Sequence, residues 1–308
     1  MPRPWLLAAV VLAGLAAAAP ARPAAERVGL LSLEAPAGYE RTLGVLAVRA
    51  RTILPAVESD LGARAASRFR MILLPPGVPR DSGLARLDQA APPWAAGYYL
   101  PAFRVGAIRI AEANRYPYGT LESVLAHETA HVILHDAAGD RLPRWFDEGV
   151  ATLQGRRWTL EDVLVYSSSL LTNDLPPLDS LDASFQASAG EARLAYAASF
   201  AFVAWNVRRH GPGWIPALLR ATRDAPFPEA WAAVTGGGTL AQAERSWRRG
   251  SLFRYRWIPV LTASSTLWLV VALLALAGGV RRRGRARAER ARWPEFEAVA
   301  PPDEPEAP

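Results

Sequence analysis

The stretch VLAHETAHVILH, residues 124–135, places His127, His131 and His135 four residues apart inside an otherwise apolar run. The only other histidine of the chain is His210. Either the segment is a metal-binding helix, or it is a core helix whose few polar residues found partners. Residues four apart on a helix lie one turn apart on the same face, so two imidazoles can converge on one tetrahedral ion. Glu128, beside the first histidine and about 100° around the helix, can take a proton from a metal-bound water without binding the metal. Zinc (Zn2+) lowers the pKa of that water and polarises a carbonyl. The core-helix reading needs two histidines and a glutamate all partnered in the interior, which is costly. His135 lies about 12 Å along the axis from His127, too far to share its ion. It reads as a helix-end residue favoured by the dipole.

A catalytic zinc takes three protein ligands plus water. Asp136, Asp140, Asp147 and Glu148 are the nearby acids, and Asp136 follows His131 too soon to fold back. Asp147 and Glu148 lie on the next predicted helix, pointing about 100° apart, so only one faces the ion. The sequences VLAHETAHVIL and, after them, LPRWFDEGVAT resemble the gluzincin branch of zinc metallopeptidases. The likeness is strongest to peptidase-MA-like domains, with their H-E-x-x-H and W-x-x-E-G-x-A pair. The resemblance implies that Glu148 is the third ligand beside His127 and His131, with Glu128 as general base and one zinc per chain. Trp145, Gly149 and Ala151 fit the surrounding pattern, and the family implies that the two small residues let the second helix pack closely on the first. It also implies that strand 104–112 is the edge on which an extended peptide lies. An oxyanion donor is expected from the helical half, with Tyr196 the best placed and Tyr98 and Tyr99 competing. Thr152 departs from the pattern, since thermolysin-like relatives carry an acid there. The metzincin pattern fails, because Leu134 replaces its glycine and Ala137 its third histidine.

Around this centre the apolar spacing predicts a helix over 40–61 kinked at Pro55, a strand over 68–75, a Pro/Gly-rich loop over 76–97 and a strand over 104–112. Thr120 is a sound N-cap for the histidine helix, and 136–144 reads as a turn. A helix follows over 144–155, stopped by Gly155. Residues 172–192 are polar and read as a long loop, and 191–211 as a buried helix. Two short helices come next, then a last one opened by a Thr239–Gln242 capping box. The fold class expected is α+β. A zincin-like catalytic domain would hold a small mixed sheet and the active-site helix, followed by a helical half and one C-terminal transmembrane helix.

The ends of the 308-residue chain suggest the compartment. Residues 1–25 have the short basic start, apolar core and small residues of a signal peptide. Residues 258–280 contain no charge, follow an aromatic cluster and are long enough to span a bilayer. The arginines after Val280 place the C-terminus inside by the positive-inside rule. The expectation is therefore a single-pass membrane protein whose 26–255 peptidase domain is extracytoplasmic, with 281–308 as a basic, then acidic, disordered tail. The net charge of +6 is carried entirely by arginine, with no lysine, and much of it flanks the apolar segment. No basic stripe interleaved with aromatics points to nucleic acid. Cysteine is absent, so the outer domain depends on its core alone. The expected function is zinc-dependent peptide-bond hydrolysis with a peptide or protein substrate. The alternative is a catalytically silent zincin-fold binding or assembly module at the membrane surface.

Overall fold

A run of apolar residues over 69–74 that is buried almost throughout is the signature of an interior strand, and the sheet is built around it. The computed structural model describes residues 23–78, 83–89, 91–115, 118–156, 159–255, 257–258 and 264–292. Five strands, β1 (Ala24–Val28), β2 (Leu31–Ala35), β3 (Phe69–Leu74), β4 (Gly97–Leu100) and β5 (Val105–Arg109), are ordered β1-β2-β3-β5-β4. The three inner strands are parallel and both outer strands antiparallel to their neighbours. The mixed sheet is as expected, but its edge is not the strand over 104–112. That strand stops at Arg109, is buried along its whole length and lies between β3 and β4. Burial on both flanks made its sequence look like a complete strand, whereas β4, one of the two edges, is a half-buried four-residue piece that starts at Gly97, where the segment expected as a loop ends. β1 begins at Ala24, inside the stretch expected as a leader, and residues 1–22 of that stretch lie outside the described residues.

Between β2 and β3 runs α1 (Glu40–Leu61), continuous as a helix through Pro55, with Leu43, Leu46, Ala47, Ala50, Leu54, Val57 and Leu61 buried at helical spacing. Val48 faces solvent instead of joining that stripe. Two short helices, α2 (Gly83–Asp88) and α3 (Ile110–Ala113), flank β4 and β5 in the chain. The histidine helix α4 (Leu121–Ala138) starts at Thr120, whose side chain accepts the Ser123 N–H at 3.1 Å. It is buried on almost every face from Val124 to Leu134, because α1, the sheet and α5 (Arg144–Gly155) all pack on it.

The helical half follows. It comprises α6 (Leu160–Thr172), α7 (Leu181–Ala187), α8 (Ala189–His210), α9 (Trp214–Ala221), α10 (Phe227–Val234) and α11 (Leu240–Tyr255). α6 has no counterpart among the predicted elements, although the Thr159–Asp162 capping box at its start is formed. The loop expected over 172–192 is largely structured, because Leu175, Leu178, Leu181 and Phe185 are buried and pin it to the core. The Thr239–Gln242 capping box is present, with reciprocal bonds of 2.9 and 3.2 Å. Trp145 of α5 meets its neighbour Phe146 and Phe202 of α8 edge-on, and Phe202 stacks on Trp231 of α10, joining α5 to this half.

Contacts divide the chain into Met1–Tyr255 and Arg256–Pro308. In the second unit, α12 (Ser264–Arg292) continues through residues expected to start a disordered tail, and 293–308 lie outside the described residues. Part of the apolar run 258–280 also lies outside them, and among the described residues no helix is long and apolar enough to cross a membrane.

Candidate metal centre

One turn of α4 separates His127 from His131, and their Nε2 atoms face each other 3.0 Å apart. From α5, Glu148 brings its Oε2 to 3.5 Å from each of them. The three ligand atoms lie within 4.8 Å of one another and could hold a metal ion. Tetrahedral zinc with bonds of about 2.0–2.1 Å separates its ligand atoms by roughly 3.3 Å, close to the spacing present here. Glu148 Oε2 is buried and has no hydrogen-bond partner among the described residues. An orphaned carboxylate oxygen facing two imidazole nitrogens fits a cation-binding site better than a polar core.

The adjacent Asp147 turns the other way. Its Oδ2 lies 3.0 Å from His131 Nδ1, so with Nδ1 protonated that N–H donates to the carboxylate and Nε2 is left free for a metal. Both acids are thus used, Glu148 toward the centre and Asp147 behind His131. Asp136 is engaged elsewhere, in a bidentate pair with Arg104 at 2.6 and 2.9 Å and accepting the Ala66 N–H at 2.8 Å. His135 stands outside the ligand group, 3.9 Å from the exposed Asp140. Its carbonyl accepts the Gly139 N–H that closes the helix.

Burial holds the His127 imidazole below its ordinary pKa and therefore neutral, the form that binds metal. Burial also pulls His131 down, but the Asp147 and Glu148 carboxylates outweigh it and hold His131 well above its usual range. Glu148, pushed up by burial, is carried well below the carboxylate range by the two histidines. Burial raises the Glu128 carboxyl to about 8, with His131 opposing the rise and Glu148 and Asp147 adding to it.

Two glycines make room for these groups. A Cβ on Gly97, at the start of β4, would come within 2.6 Å of Glu128 Oε1 and of Val124. A Cβ on Gly155 would stand 2.7 Å from the Ser123 carbonyl and 3.1 Å from the His127 Cβ. The close approach of α5 to α4 therefore rests on Gly155. Gly149 serves a different contact, since its Cβ would meet the Ser199 carbonyl of α8 at 2.7 Å. Sequence reasoning missed Asp147 as the His131 partner, and it missed Gly97.

Glu128 and the three ligands open on a cleft of about 410 Å³, walled on one side by β4 and on the other by Arg144, Phe185 and Tyr196. The Tyr196 ring lies 6.4 Å from that of His127 and edge-on to Phe185. Burial, then the charges of Glu148 and Glu128, keep its hydroxyl well above the usual range and hence protonated. Of its competitors, Tyr98 donates its hydroxyl to the Leu87 carbonyl, and the Tyr99 hydroxyl is buried without a hydrogen-bond partner among the described residues. Behind the site, Tyr118 packs edge-on against His127 at 5.0 Å. Thr152 and His127 Nδ1 are both buried and without hydrogen-bond partners among the described residues. The departure at Thr152 thus coincides with a first histidine that lacks the carboxylate its neighbour has.

A family model for the peptidase MA superfamily matches residues 88–251, more than half of the chain. The match takes in β4, β5, the ligand helices and almost all of the helical half. No curated protein matches the chain.

Proposed function

The chain belongs to the peptidase MA superfamily, and from that footing we propose that it is a zinc-dependent peptidase of the gluzincin type. The observation that carries the reading is the convergence of His127, His131 and Glu148 on one point, with Glu128 beside them in the wall of an open cleft. Zinc bound there supplies Lewis-acid polarisation of the scissile carbonyl and brings the pKa of water toward neutrality. Glu128 accepts a proton from the attacking water as its oxygen bonds to the carbonyl carbon. It returns that proton to the amine nitrogen as the C–N bond breaks. A cation held by these ligands would favour the ionised form of Glu128 and offset the rise that burial imposes. Tyr196 donates its hydroxyl toward the oxygen on which negative charge develops. An extended substrate pairs with the free edge of β4, which borders the cleft.

We further propose a leader over 1–25 and a membrane anchor over 258–280. That topology would leave the peptidase domain 26–255 outside and the C-terminus in the cytoplasm. The charge-free run followed by Arg281, Arg282 and Arg283 supports that topology. Substrates are then peptides or proteins at the membrane surface.

The test is cleavage of a peptide library by the zinc-loaded full chain. Wild type should cut, and Glu128→Gln should lose at least about 100-fold in rate while keeping its zinc. Zinc bound without cleavage of any peptide would replace this reading with a catalytically silent binding module.

A further inference from the structure

Several arginines elsewhere in the domain are bonded into their surroundings. Arg70, Arg104, Arg109 and Arg248 each direct their guanidinium hydrogens to carboxylates and carbonyl oxygens. Arg144 does not. It is the first residue of α5, its side chain is 35% exposed, and it forms a wall of the cleft that holds the metal ligands. Among the described residues it makes no hydrogen bond. Its contacts are an approach of 3.7 Å from Nε to Glu148 Oε1 and the face of Phe185, 5.0 Å from the ring centroid. Phe185 is itself buried and braced edge-on by Tyr196, so the guanidinium rests on a fixed platform.

From this we infer that Arg144 is a specificity-determining residue that grips a carboxylate of the substrate next to the bond being cut. The planar guanidinium presents several unsatisfied donors in the geometry that pairs bidentately with a carboxylate. Its distance from Glu148 places any carboxylate it holds beside the metal centre. The other acids near it do not compete well. Glu148 is committed to the centre, Asp147 to His131, and Asp140 is fully exposed near His135. Two features of a peptide supply this chemistry, an acidic side chain adjoining the scissile bond and the free C-terminal carboxylate.

The inference rests on the peptidase reading for which bond is cut, but not for binding, and the test separates the two. Peptides are titrated onto zinc-loaded full-length Glu128→Gln protein, with and without Arg144→Gln or Arg144→Lys, and zinc content is measured in each. One peptide pair differs as Glu against Gln, the other as free C-terminus against C-terminal amide. The carboxylate-bearing member of at least one pair should bind about tenfold tighter or more, and which pair responds names the source. Arg144→Gln should remove that preference, and Arg144→Lys restore part of it, with zinc retained. Equal affinity within both pairs would overturn the inference. So would an equal loss for all peptides in Arg144→Gln, which would make Arg144 a support for Glu148. If wild type cuts no peptide while the preference persists in binding, the peptidase reading fails and this one stands.

Discussion

Asp147 and Glu148 are neighbours in sequence and opposites in role, because successive helical residues point about 100° apart. Glu148 faces the two Nε2 atoms, while Asp147 grips the back of His131. Asp147→Asn keeps the shape but removes the charge that orients His131 and strengthens it as a ligand. Zinc affinity, measured by competition with a chromogenic chelator, should fall about 10–100-fold. Unchanged affinity would mean that packing alone orients His131. At this scale the two histidines of the candidate centre were legible in the residues, since a helical H-E-x-x-H has few other uses. The choice of Glu148 over Asp147 needed the family pattern, because spacing alone allows either acid to face inward. Gly97 was not legible at all, because its need arises from Glu128, a residue on another element that meets it only in the fold.

Elements must be fixed relative to one another for such a site to persist, and Arg104 is one tie. It pairs bidentately with Asp136 near the end of α4, and it donates to the Ser67 and Arg68 carbonyls ahead of β3. The contacts hold Arg104 itself at φ +51°, in the left-handed region. Although burial opposes it, the Arg104 guanidinium holds the Asp136 carboxyl below its ordinary value. A depressed carboxyl contributes stability that is present above the unfolded-state pKa, about 3.9, and lost as pH falls through the folded value. Asp136→Asn should therefore cost about 1.5–3 kcal/mol at neutral pH, and the gap from wild type should close below about pH 4. Denaturant melts at several pH values would show this, and a gap that stayed constant down to pH 2 would contradict it. α4 and α5 were legible because Thr120 and Gly155 mark their ends. β4 and α7 were not. β4 is short and begins where a Pro/Gly-rich segment ends, while the buried Leu181 and Phe185 of α7 are set among polar residues.

At the scale of the molecule, the residues that could hold a metal ion come from two helices at the junction of sheet and helical half. Binding a cation there should tie the two halves together and stabilise the fold. The mixed sheet followed by helices was readable as a class from the order of its elements. The edge position of β4 was not, since strand order follows from which strands bury both flanks. The most direct measurement is metal analysis of the purified full chain, alone and as Glu148→Ala, after exposure to zinc and removal of excess. About one zinc per chain is expected in wild type and little in Glu148→Ala, with zinc raising the melting temperature of wild type only. Zinc retained at full stoichiometry without Glu148, or not bound by wild type at all, would contradict a centre built from His127, His131 and Glu148.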